Sequence, residues 1–310
     1  MTDGGRLRPT RTMFQTLISF FKAVVATTLL IANIVVVFAI IFPLGVVKLI
    51  LPFPLARKIC NNLINPVANT WVHGNSGWMK LVQPKPWHVS GVEGLSRKGW
   101  YLIGSNHQSW VDILVLQRTF DGHVPLLKFF IKKELIFVPL MGLAWWALDF
   151  PFMRRKGNGN SAAKDLAAAR KACEIFRLNP TSVISFMEGT RVTPEKHAQQ
   201  KSPYKHLLKP KTGGIAMALE TMGEQFDCLL DVTIVYPHGV PTFADLLSGR
   251  VEDVIVRVHR RAIPDDLKVA SEGDREYRHR LQNWMNELWA AKDAEITELQ
   301  SQFKKGKFQS

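Results

Sequence analysis

Residues 105–112, Ser105-Asn106-His107-Gln108-Ser109-Trp110-Val111-Asp112, connect a predicted buried strand to a predicted helix. The strand is the apolar run 100–104, and the helix continues through the apolar residues 113–116. Ser109 stands where an N-cap residue is expected, and Asp112 follows three residues later as the acidic member of a capping box. His107 is therefore predicted to lie on the strand-to-helix turn, where open α/β sheets bind their ligands.

The spacing of His107 and Asp112 is compatible with a chemical role. On a turn that leads into a helix, side chains five residues apart can converge, so that Asp112 orients the imidazole and stabilises its protonated form. A short pattern of this kind also occurs by chance, and a capped helix with a histidine nearby has the same sequence. The pair alone leaves both interpretations open.

The composition limits the classes of partner. The 310 residues carry a net charge of +14, so acidic partners are expected: nucleic acid, anionic lipid or a phosphorylated small molecule. No helix-turn-helix, zinc-finger or aromatic-platform pattern supports nucleic acid, which leaves an anionic membrane and a phosphorylated ligand. The three cysteines have no metal-type spacing, and the sequence has no Gly-rich nucleotide loop. We therefore expect a reducing compartment and neither a metal nor a bound cofactor.

The N-terminal part contains an uncharged stretch, residues 23–47, which as a helix would be about 37 Å long, enough to cross a bilayer. We interpret it as membrane-embedded rather than as a buried helix of a soluble core. Pro43, with Pro52 and Pro54 later in the chain, can break it into a re-entrant or hairpin arrangement. Both ends are flanked by basic residues, so we predict that both ends are cytoplasmic. These basic residues are Arg6, Arg8, Arg11, Lys22, Lys48, Arg57 and Lys58.

The body of the chain alternates candidate strands and helices. This alternation predicts an α/β fold, a mixed and largely parallel sheet flanked by helices, preceded by the N-terminal membrane-embedded helical segment. The strand candidates are 100–104, 183–187, 229–236 and 254–259, and the clearest helix candidate is 161–177.

Two more segments complete the division of the chain. Residues 135–152 are mostly apolar and predict a core or membrane-apposed element, with a second crossing as the alternative. Residues 275–303 have helical periodicity and predict a helix packed on the domain. The chain is thus divided into a basic N-terminus with a membrane anchor of re-entrant or hairpin helices (1–60), an α/β domain (61–264), and a C-terminal amphipathic helix with a basic tail (265–310).

Two further groups of residues suggest anion binding. Glu188-Gly189-Thr190-Arg191 follows a candidate strand, and its glycine permits a tight turn that can direct both charged side chains into one cleft. Arg191 offers a planar fork for a phosphate, although an ordinary surface turn with a Glu/Arg pair has the same sequence. Lys211-Thr212-Gly213-Gly214 precedes a candidate helix and predicts an anion site at its start, or else an ordinary Gly-rich loop.

Four stretches together are more specific than any one of them. In chain order they are Asn106-His107-x4-Asp112, Phe152-Met153-Arg154-Arg155, Phe186-Met187-Glu188-Gly189-Thr190-Arg191 and Val232-Thr233-Ile234-Val235-Tyr236-Pro237. They resemble the first to fourth motifs of the 1-acylglycerol-3-phosphate O-acyltransferase (lysophospholipid acyltransferase) family. Pro210-Lys211-Thr212-Gly213 is similar to the basic loop of that family. Met187 replaces its usual proline, and Arg154 stands where an acidic residue is common. The pattern is closest to the lysocardiolipin-acyltransferase-like branch and to bacterial inner-membrane members.

This resemblance implies transfer of a fatty acyl group from acyl-CoA or acyl-carrier protein, as co-substrate, to the free hydroxyl of a lysophospholipid. The favoured acceptor is 1-acylglycerol-3-phosphate, which would give phosphatidic acid. His107 would be the general base and Asp112 the residue that orients it. The remaining family positions imply substrate binding by Arg155, Glu188, Gly189, Thr190, Arg191 and Lys211.

The resemblance also implies a location, the bacterial inner membrane with the catalytic domain on the cytoplasmic face and anionic lipid around it. Several alternatives stay open: another acceptor such as lysocardiolipin, a non-catalytic membrane adaptor, or a lipid hydrolase that uses the same His/Asp pair. The sequence leaves the oligomeric state undetermined.

Overall fold

The computed structural model describes residues 12–306 except 52, 130, 151, 154–173, 175, 178 and 270–274. The predicted helix at 161–177 therefore falls almost entirely outside the described residues. The chain begins with two long helices, α1 (Met13–Ile50) and α2 (Pro54–Val82), which pack against each other. Residue 60, where the first domain boundary is predicted, lies within α2, and the division into domains stays a prediction.

A six-stranded sheet follows the two helices, with strand order β1-β8-β7-β2-β6-β3. Neighbouring strands are parallel except β7 and β8, which are antiparallel. Two short strands form a separate parallel pair. The strands are β1 (His88–Ser90), β2 (Tyr101–Ser105), β3 (Leu127–Phe129), β4 (Ile131–Lys132), β5 (Phe152–Met153), β6 (Ser182–Phe186), β7 (Cys228–Val235) and β8 (Ile255–Arg261).

The remaining helices flank this sheet. They are α3 (Val111–Phe120), α4 (Met141–Ala147), α5 (Pro194–Gln200), α6 (Gly213–Met222), α7 (Phe243–Leu247), α8 (Asp265–Lys268) and α9 (Arg275–Lys304). The predicted α/β class and mixed, largely parallel sheet are confirmed. All four candidate strands are present with their ends shifted by one or two residues. The short strands β1 and β3 were not predicted, because three residues are too few for a periodic signal.

Helix α1 is the one helix of the described residues that is long and apolar enough to cross a membrane. It lies along the rest of the molecule, with Ala26, Val37, Ile41 and Gly45 buried and much of the opposite side exposed. Asn33 ties α1 to α2 by donating its side-chain N–H to the carbonyl of Trp71, at 2.9 Å. The apolar stretch therefore has one face packed on protein and another free of protein.

The sequence suggested a break at Pro43, Pro52 or Pro54; α1 runs through Pro43, and the break lies between Ile50 and Pro54. The helix continues to Ile50, and the chain reverses at the connection to α2. The turn after Pro43 packs closely on α4, since a Cβ atom built on Gly45 would lie 2.8 Å from the Cβ of Ala147. We attribute the unbroken helix to this packing, which opposes the cost of about 3 kcal/mol for a proline inside a helix.

The stretch at 135–152 is not a second membrane crossing. It contains part of a 3₁₀ turn (Lys133–Phe137) and the seven-residue helix α4, which packs on α1. Seven helical residues extend only about 10 Å, far less than the thickness of a bilayer. The expectation of a core or membrane-apposed element describes this segment better.

Helix α9 begins at the predicted residue and packs on the domain, as expected. It buries Lys292, whose ammonium group lies 2.6 Å from the carboxylate of Asp231 on β7. Lys292 also donates to the carbonyl of Val232 at 2.6 Å and to the hydroxyl of Thr233 at 3.1 Å. The C-terminal helix is thus joined to β7 by a buried ion pair.

This ion pair predicts the effect of one substitution. Lys292→Met should lower the free energy of unfolding by about 3–5 kcal/mol, because the carboxylate of Asp231 stays buried after losing its main partner. Lys268→Met is the matched control, since Lys268 pairs with the exposed carboxylate of Asp265 and its loss should cost less than about 1 kcal/mol. Denaturant titration of the two variants in detergent measures both values. Equal losses would contradict the prediction.

Candidate active site

A cavity of about 450 Å³ lies beside the carboxyl ends of β2 and β6. Its wall is largely apolar and comes from α1, α2, α3, α4 and the edge of the sheet. The polar or charged residues that line it are His107, Gln117, Thr190 and Arg191. An apolar chamber with a few polar groups on its wall is the usual form of a site for an amphipathic ligand.

The backbone around His107 is fixed from two sides. The preceding residue, Asn106, is fully buried, and its side-chain amide makes two 2.9 Å hydrogen bonds with the backbone N–H and C=O of Ile234 on β7. The N–H of His107 donates to the carboxylate of Glu188 at 2.8 Å, and its carbonyl accepts from the N–H of Val192 at 2.9 Å. These bonds hold the turn after β2 against the turn after β6.

The imidazole of His107 contacts Asp112 as the sequence predicted. Its Nδ1 atom lies 2.9 Å from Oδ2 of Asp112. One face of the ring stacks on Phe186, with ring centroids 3.9 Å apart and an interplanar angle of 14°. Since Nδ1 is engaged and the residue lines the cavity, Nε2 is the ring nitrogen available to a ligand.

Asp112 is buried and accepts hydrogen bonds at both oxygens. Oδ2 also accepts from the backbone N–H groups of Gln108 and Ser109, at 2.6 and 2.9 Å. Oδ1 accepts from the hydroxyl of Tyr236 at 2.5 Å. Burial and the negative charge of Asp112 raise the pKa of Tyr236 well above its usual range, so this phenol keeps its proton. The carboxylate is thus surrounded by donors.

The predicted capping arrangement at Ser109 is present in part. The helix starts at Val111, and its N-cap residue is Trp110, which makes no side-chain capping bond. The hydroxyl of Ser109 accepts from the N–H of Val111 at 3.1 Å and donates to the carbonyl of Pro241 at 2.5 Å. Asp112 accepts from the N–H of Ser109, which is the bond predicted for this pair, whereas the Ser109 hydroxyl accepts from residue 111 rather than from residue 112.

The turn after β6 separates its two charged residues. The sequence suggested that Glu188 and Arg191 point into one cleft. Glu188 is instead fully buried. Its second carboxylate oxygen accepts from the N–H of Leu208 at 2.9 Å, so Glu188 joins two loops. Burial raises the pKa of Glu188 to about 8, against the opposite effect of these backbone hydrogen bonds. Gly189 allows the reversal with a φ of +66°.

Arg191 is the charged member of this turn that lines the cavity. Its guanidinium lies 4.8 Å from the ring centroid of Trp110, a cation–π distance. The neighbouring Thr190 also lines the cavity, and its hydroxyl accepts from the ammonium group of Lys196 at 2.7 Å. Lys196 donates to the carbonyl of Arg191 as well, at 3.1 Å. Two cations therefore flank one turn at the edge of the cavity.

Lys211 lies next to the same turn. Its backbone N–H donates to the carbonyl of Met187 at 2.6 Å, and its side chain passes over Gly189. A Cβ atom at residue 189 would lie 3.0 Å from Cδ of Lys211. The helix predicted after this loop is α6, and its N-cap residue Thr212 makes no side-chain capping bond. Arg155, the remaining predicted binding residue, lies outside the described residues.

Several residues of the site were not predicted individually. Tyr236 and Phe186 belong to the motifs, but the motifs predict no role for them, and no sequence pattern points to Trp110 or Lys196. The aromatic residues within the motifs were the available signal for Tyr236 and Phe186. For Lys196 no local pattern distinguishes it from other surface lysines.

One group outside the cavity has metal-type donors, His238, Glu252 and Asp253. Asp253 already accepts from His238 at 2.9 Å, from His88 at 3.2 Å and from the ammonium group of Lys85 at 3.3 Å. A cation so close to the carboxylate disfavours a second one, so we assign no metal there. The expectation of neither metal nor cofactor stays a prediction.

Comparison with known proteins finds relatives described as acyltransferases. A family model described as Acyltransferase matches residues 87–240. The Arabidopsis thaliana 1-acyl-sn-glycerol-3-phosphate acyltransferase 3 is 28% identical over 63% of this chain and 52% of its own length. The Mus musculus lysocardiolipin acyltransferase 1 is 28% identical over 63% of this chain and 53% of its own. The chain thus spans about half the length of the curated relatives it matches.

A solved structure shows the same fold. The 1-acyl-sn-glycerophosphate acyltransferase of Thermotoga maritima superimposes with a TM-score of 0.52 at 19% identity, covering 93% of this chain and 98% of that one. Because the superposition covers 93% of this chain, it includes the N-terminal helices as well as the central domain. Residues 87–240 therefore belong to the Acyltransferase family, and the chain is similar to 1-acyl-sn-glycerol-3-phosphate and lysocardiolipin acyltransferases.

Proposed function

We propose that this protein transfers a fatty acyl group from an acyl thioester to the free hydroxyl of a lysophospholipid, with 1-acylglycerol-3-phosphate as the favoured acceptor. The observation that carries the proposal is the His107–Asp112 pair, 2.9 Å apart, on the wall of a large apolar cavity. Acyl-CoA or acyl-carrier protein would supply the thioester. The activities for which the relatives are named support this class of reaction.

The chemistry follows from the free Nε2 atom of His107. It accepts the proton of the acceptor hydroxyl while that oxygen attacks the thioester carbonyl carbon. The tetrahedral intermediate collapses as the C–S bond breaks, and the imidazolium returns the proton to the thiolate. Asp112 holds the tautomer that leaves Nε2 unprotonated and stabilises the imidazolium. A thiolate leaves readily, because thiols have a pKa near 8.5, so no acyl-enzyme nucleophile is required.

Arg191 is the proposed binding group for the phosphate of the acceptor. Its guanidinium can form two parallel hydrogen bonds with phosphate oxygens, which a lysine ammonium group does not reproduce. Lys196 and Lys211 lie beside the same turn and add positive charge there. Glu188 and Gly189 would act indirectly, by shaping the turn, while Thr190 lies on the cavity wall itself. Arg155 stays a proposed phosphate ligand on the resemblance alone.

The apolar cavity is the proposed site of the acyl chains, and α1 connects it to the membrane. Val37 and Ile41 face the cavity, whereas Val36 and Phe42 on the same helix are exposed. A helix packed along the domain in this way would lie in one leaflet rather than cross both, which keeps both ends on one side. The inner membrane of a bacterium, with the catalytic domain on the cytoplasmic face and anionic lipid nearby, is the proposed location.

Other readings of the same site remain as alternatives. A lysophospholipid such as lysocardiolipin would use the same base and the same phosphate contact. A hydrolase would direct water to the thioester or ester, and a non-catalytic adaptor would bind lipid without turnover. An assay with purified protein, acyl-CoA and 1-acylglycerol-3-phosphate separates these: phosphatidic acid as product supports transfer, free fatty acid as sole product indicates hydrolysis, and no turnover indicates an adaptor.

His107→Ala should reduce kcat by at least about 100-fold, the lower end of what a general base contributes. His73→Ala is the matched control, because His73 also pairs with an aspartate, Asp121 at 3.2 Å, but is exposed and lies outside the cavity. The control should keep wild-type activity, and both variants should stay folded and membrane-bound. Activity of His107→Ala within a few-fold of wild type would remove this residue from the mechanism.

Tyr236→Phe should move the acidic limb of the pH–rate profile upwards by about one unit. Removing the O–H leaves Oδ1 of Asp112 without its donor, the carboxylate becomes more basic, and the imidazolium form of His107 is favoured. Above this limb the rate should stay within a few-fold of wild type. Tyr277→Phe is the control, since Tyr277 is equally buried and donates instead to the carbonyl of Leu267. An unmoved acidic limb would argue against the contact.

Arg191→Lys should raise the KM for 1-acylglycerol-3-phosphate by about 10-fold with a smaller change in kcat, because the second phosphate hydrogen bond is lost. Arg280→Lys, on the outer face of α9 and paired with Glu276 at 3.0 Å, should leave both parameters unchanged. Steady-state kinetics with varied acceptor gives the two values. An unchanged KM for Arg191→Lys would count against the phosphate contact.

A further inference from the structure

The connection between α5 and α6 carries four exposed lysines, Lys201, Lys205, Lys209 and Lys211. We call residues 201–211 the lysine loop. In the part of the chain that the structure describes, none of the four forms an ion pair, whereas other lysines of the protein do. Exposed charges of one sign that have no partner within the protein attract a partner of the opposite sign.

The backbone of the lysine loop is fixed by hydrogen bonds to its neighbours. The N–H groups of Lys205 and His206 donate to the two carboxylate oxygens of Asp293 on α9, at 2.8 and 2.7 Å. The N–H of Leu208 donates to the buried carboxylate of Glu188 at 2.9 Å. The lysines therefore project from a backbone that is already ordered, which reduces the entropy lost when a partner binds.

The lysine loop lies on the face of the sheet opposite α1. Leu102 and Ile103 are consecutive residues of β2, so their side chains point to opposite faces. Ile103 belongs to the apolar cluster that contains Ala26 of α1. Leu102 belongs to the cluster that contains Leu207 of the lysine loop. Since α1 is the proposed membrane-associated element, the lysines are on the side of the sheet away from it.

The lysine loop also adjoins the catalytic turn. The side chain of Lys211 passes over Gly189 in the turn after β6. Glu188 joins the two segments, because one of its oxygens accepts from Leu208 of the loop and the other accepts from the backbone N–H of His107. A molecule bound to the lysines is therefore separated from the base by a single turn of the chain.

The distribution of the charges indicates a macromolecular partner. Lys205 lies at α9, whereas Lys211 lies at the turn after β6, so the positive charges extend along a surface. The phosphates of a nucleotide such as coenzyme A are usually bound by convergent backbone N–H groups or by arginine forks. Separate lysines are point charges, and such exposed charges orient and accelerate the encounter with an oppositely charged protein.

We propose that the lysine loop is the docking surface for an acidic acyl-carrier protein that delivers the acyl thioester. This inference rests on the proposed function and chooses between its two acyl donors. The carrier binds on the face of the sheet opposite α1, and its prosthetic arm brings the thioester past the turn after β6 to His107. The acceptor lipid enters from the side of α1, so the two substrates use different routes to the same base.

The test compares acyl-carrier protein and acyl-CoA with the same acyl chain, using the full-length protein in detergent and 1-acylglycerol-3-phosphate as acceptor. Lys201→Glu/Lys205→Glu/Lys209→Glu should lower kcat/KM for acyl-carrier protein by at least about 10-fold, because electrostatic steering raises association rates by such factors. The value for acyl-CoA should stay within a few-fold of wild type. Added salt should lower the wild-type rate with the carrier and change that of the variant much less.

The matched control reverses three exposed cations near the opposite ends of the strands. Arg97 and Lys98 precede β2, and Arg278 lies near the start of α9. Arg97→Glu/Lys98→Glu/Arg278→Glu changes the net charge by the same amount. This variant should keep the wild-type kcat/KM with both donors, so that a loss in the lysine-loop variant reflects the position of the charges.

Unchanged kinetics of the lysine-loop variant with acyl-carrier protein would overturn the docking surface and leave the acyl transfer standing. So would a wild-type protein that uses acyl-CoA alone. A loss confined to acyl-CoA would also overturn it and would assign the lysines to the phosphates of coenzyme A. An equal loss with both donors, with weaker binding to phosphatidylglycerol vesicles, would overturn it in favour of the membrane surface. No turnover with either donor would overturn the proposed function, and the docking surface with it.

Discussion

The carboxylate of Asp112 is the contact on which the rest of the site depends. It accepts hydrogen bonds from the imidazole of His107, from two backbone N–H groups of the turn and from the hydroxyl of Tyr236. These donors come from the turn after β2 and from the end of β7, so one buried charge joins two neighbouring strands. The other three donors fix the position of this carboxylate, and the carboxylate in turn fixes the orientation of the imidazole.

Hydrogen bonds between residues far apart in the chain fix the short loops around this contact. Asn106 and Ile234 join the ends of β2 and β7, and Glu188 joins the turn after β6 to the loop before α6. The indole of Trp289 on α9 donates to the carbonyl of Leu208 at 2.9 Å, whose N–H donates to Glu188. The C-terminal helix is thus connected to the backbone of His107 through two intermediates.

Much of this architecture could be predicted from the sequence, and the reasons are local. Apolar runs of five to eight residues marked β2, β6, β7 and β8, and the spacing of His107 and Asp112 gave the central pair because both lie on one turn. The burial of Glu188 and its hydrogen bonds could not be predicted, because its two partners are 81 and 20 residues away along the chain. Tyr236 is similarly separated from Asp112 by 124 residues. Periodicity identifies elements, whereas such contacts depend on how the elements are packed.

Helix α1 has a property that its composition does not reveal. Ile34, Val37, Phe38 and Ile41 line the cavity beside His107. A helix that served only as a membrane anchor could be exchanged for another of similar length. These side chains also form a part of the cavity wall that the rest of the molecule lacks. Cutting the chain after this helix would therefore remove one wall of the cavity and let water reach His107 from that side.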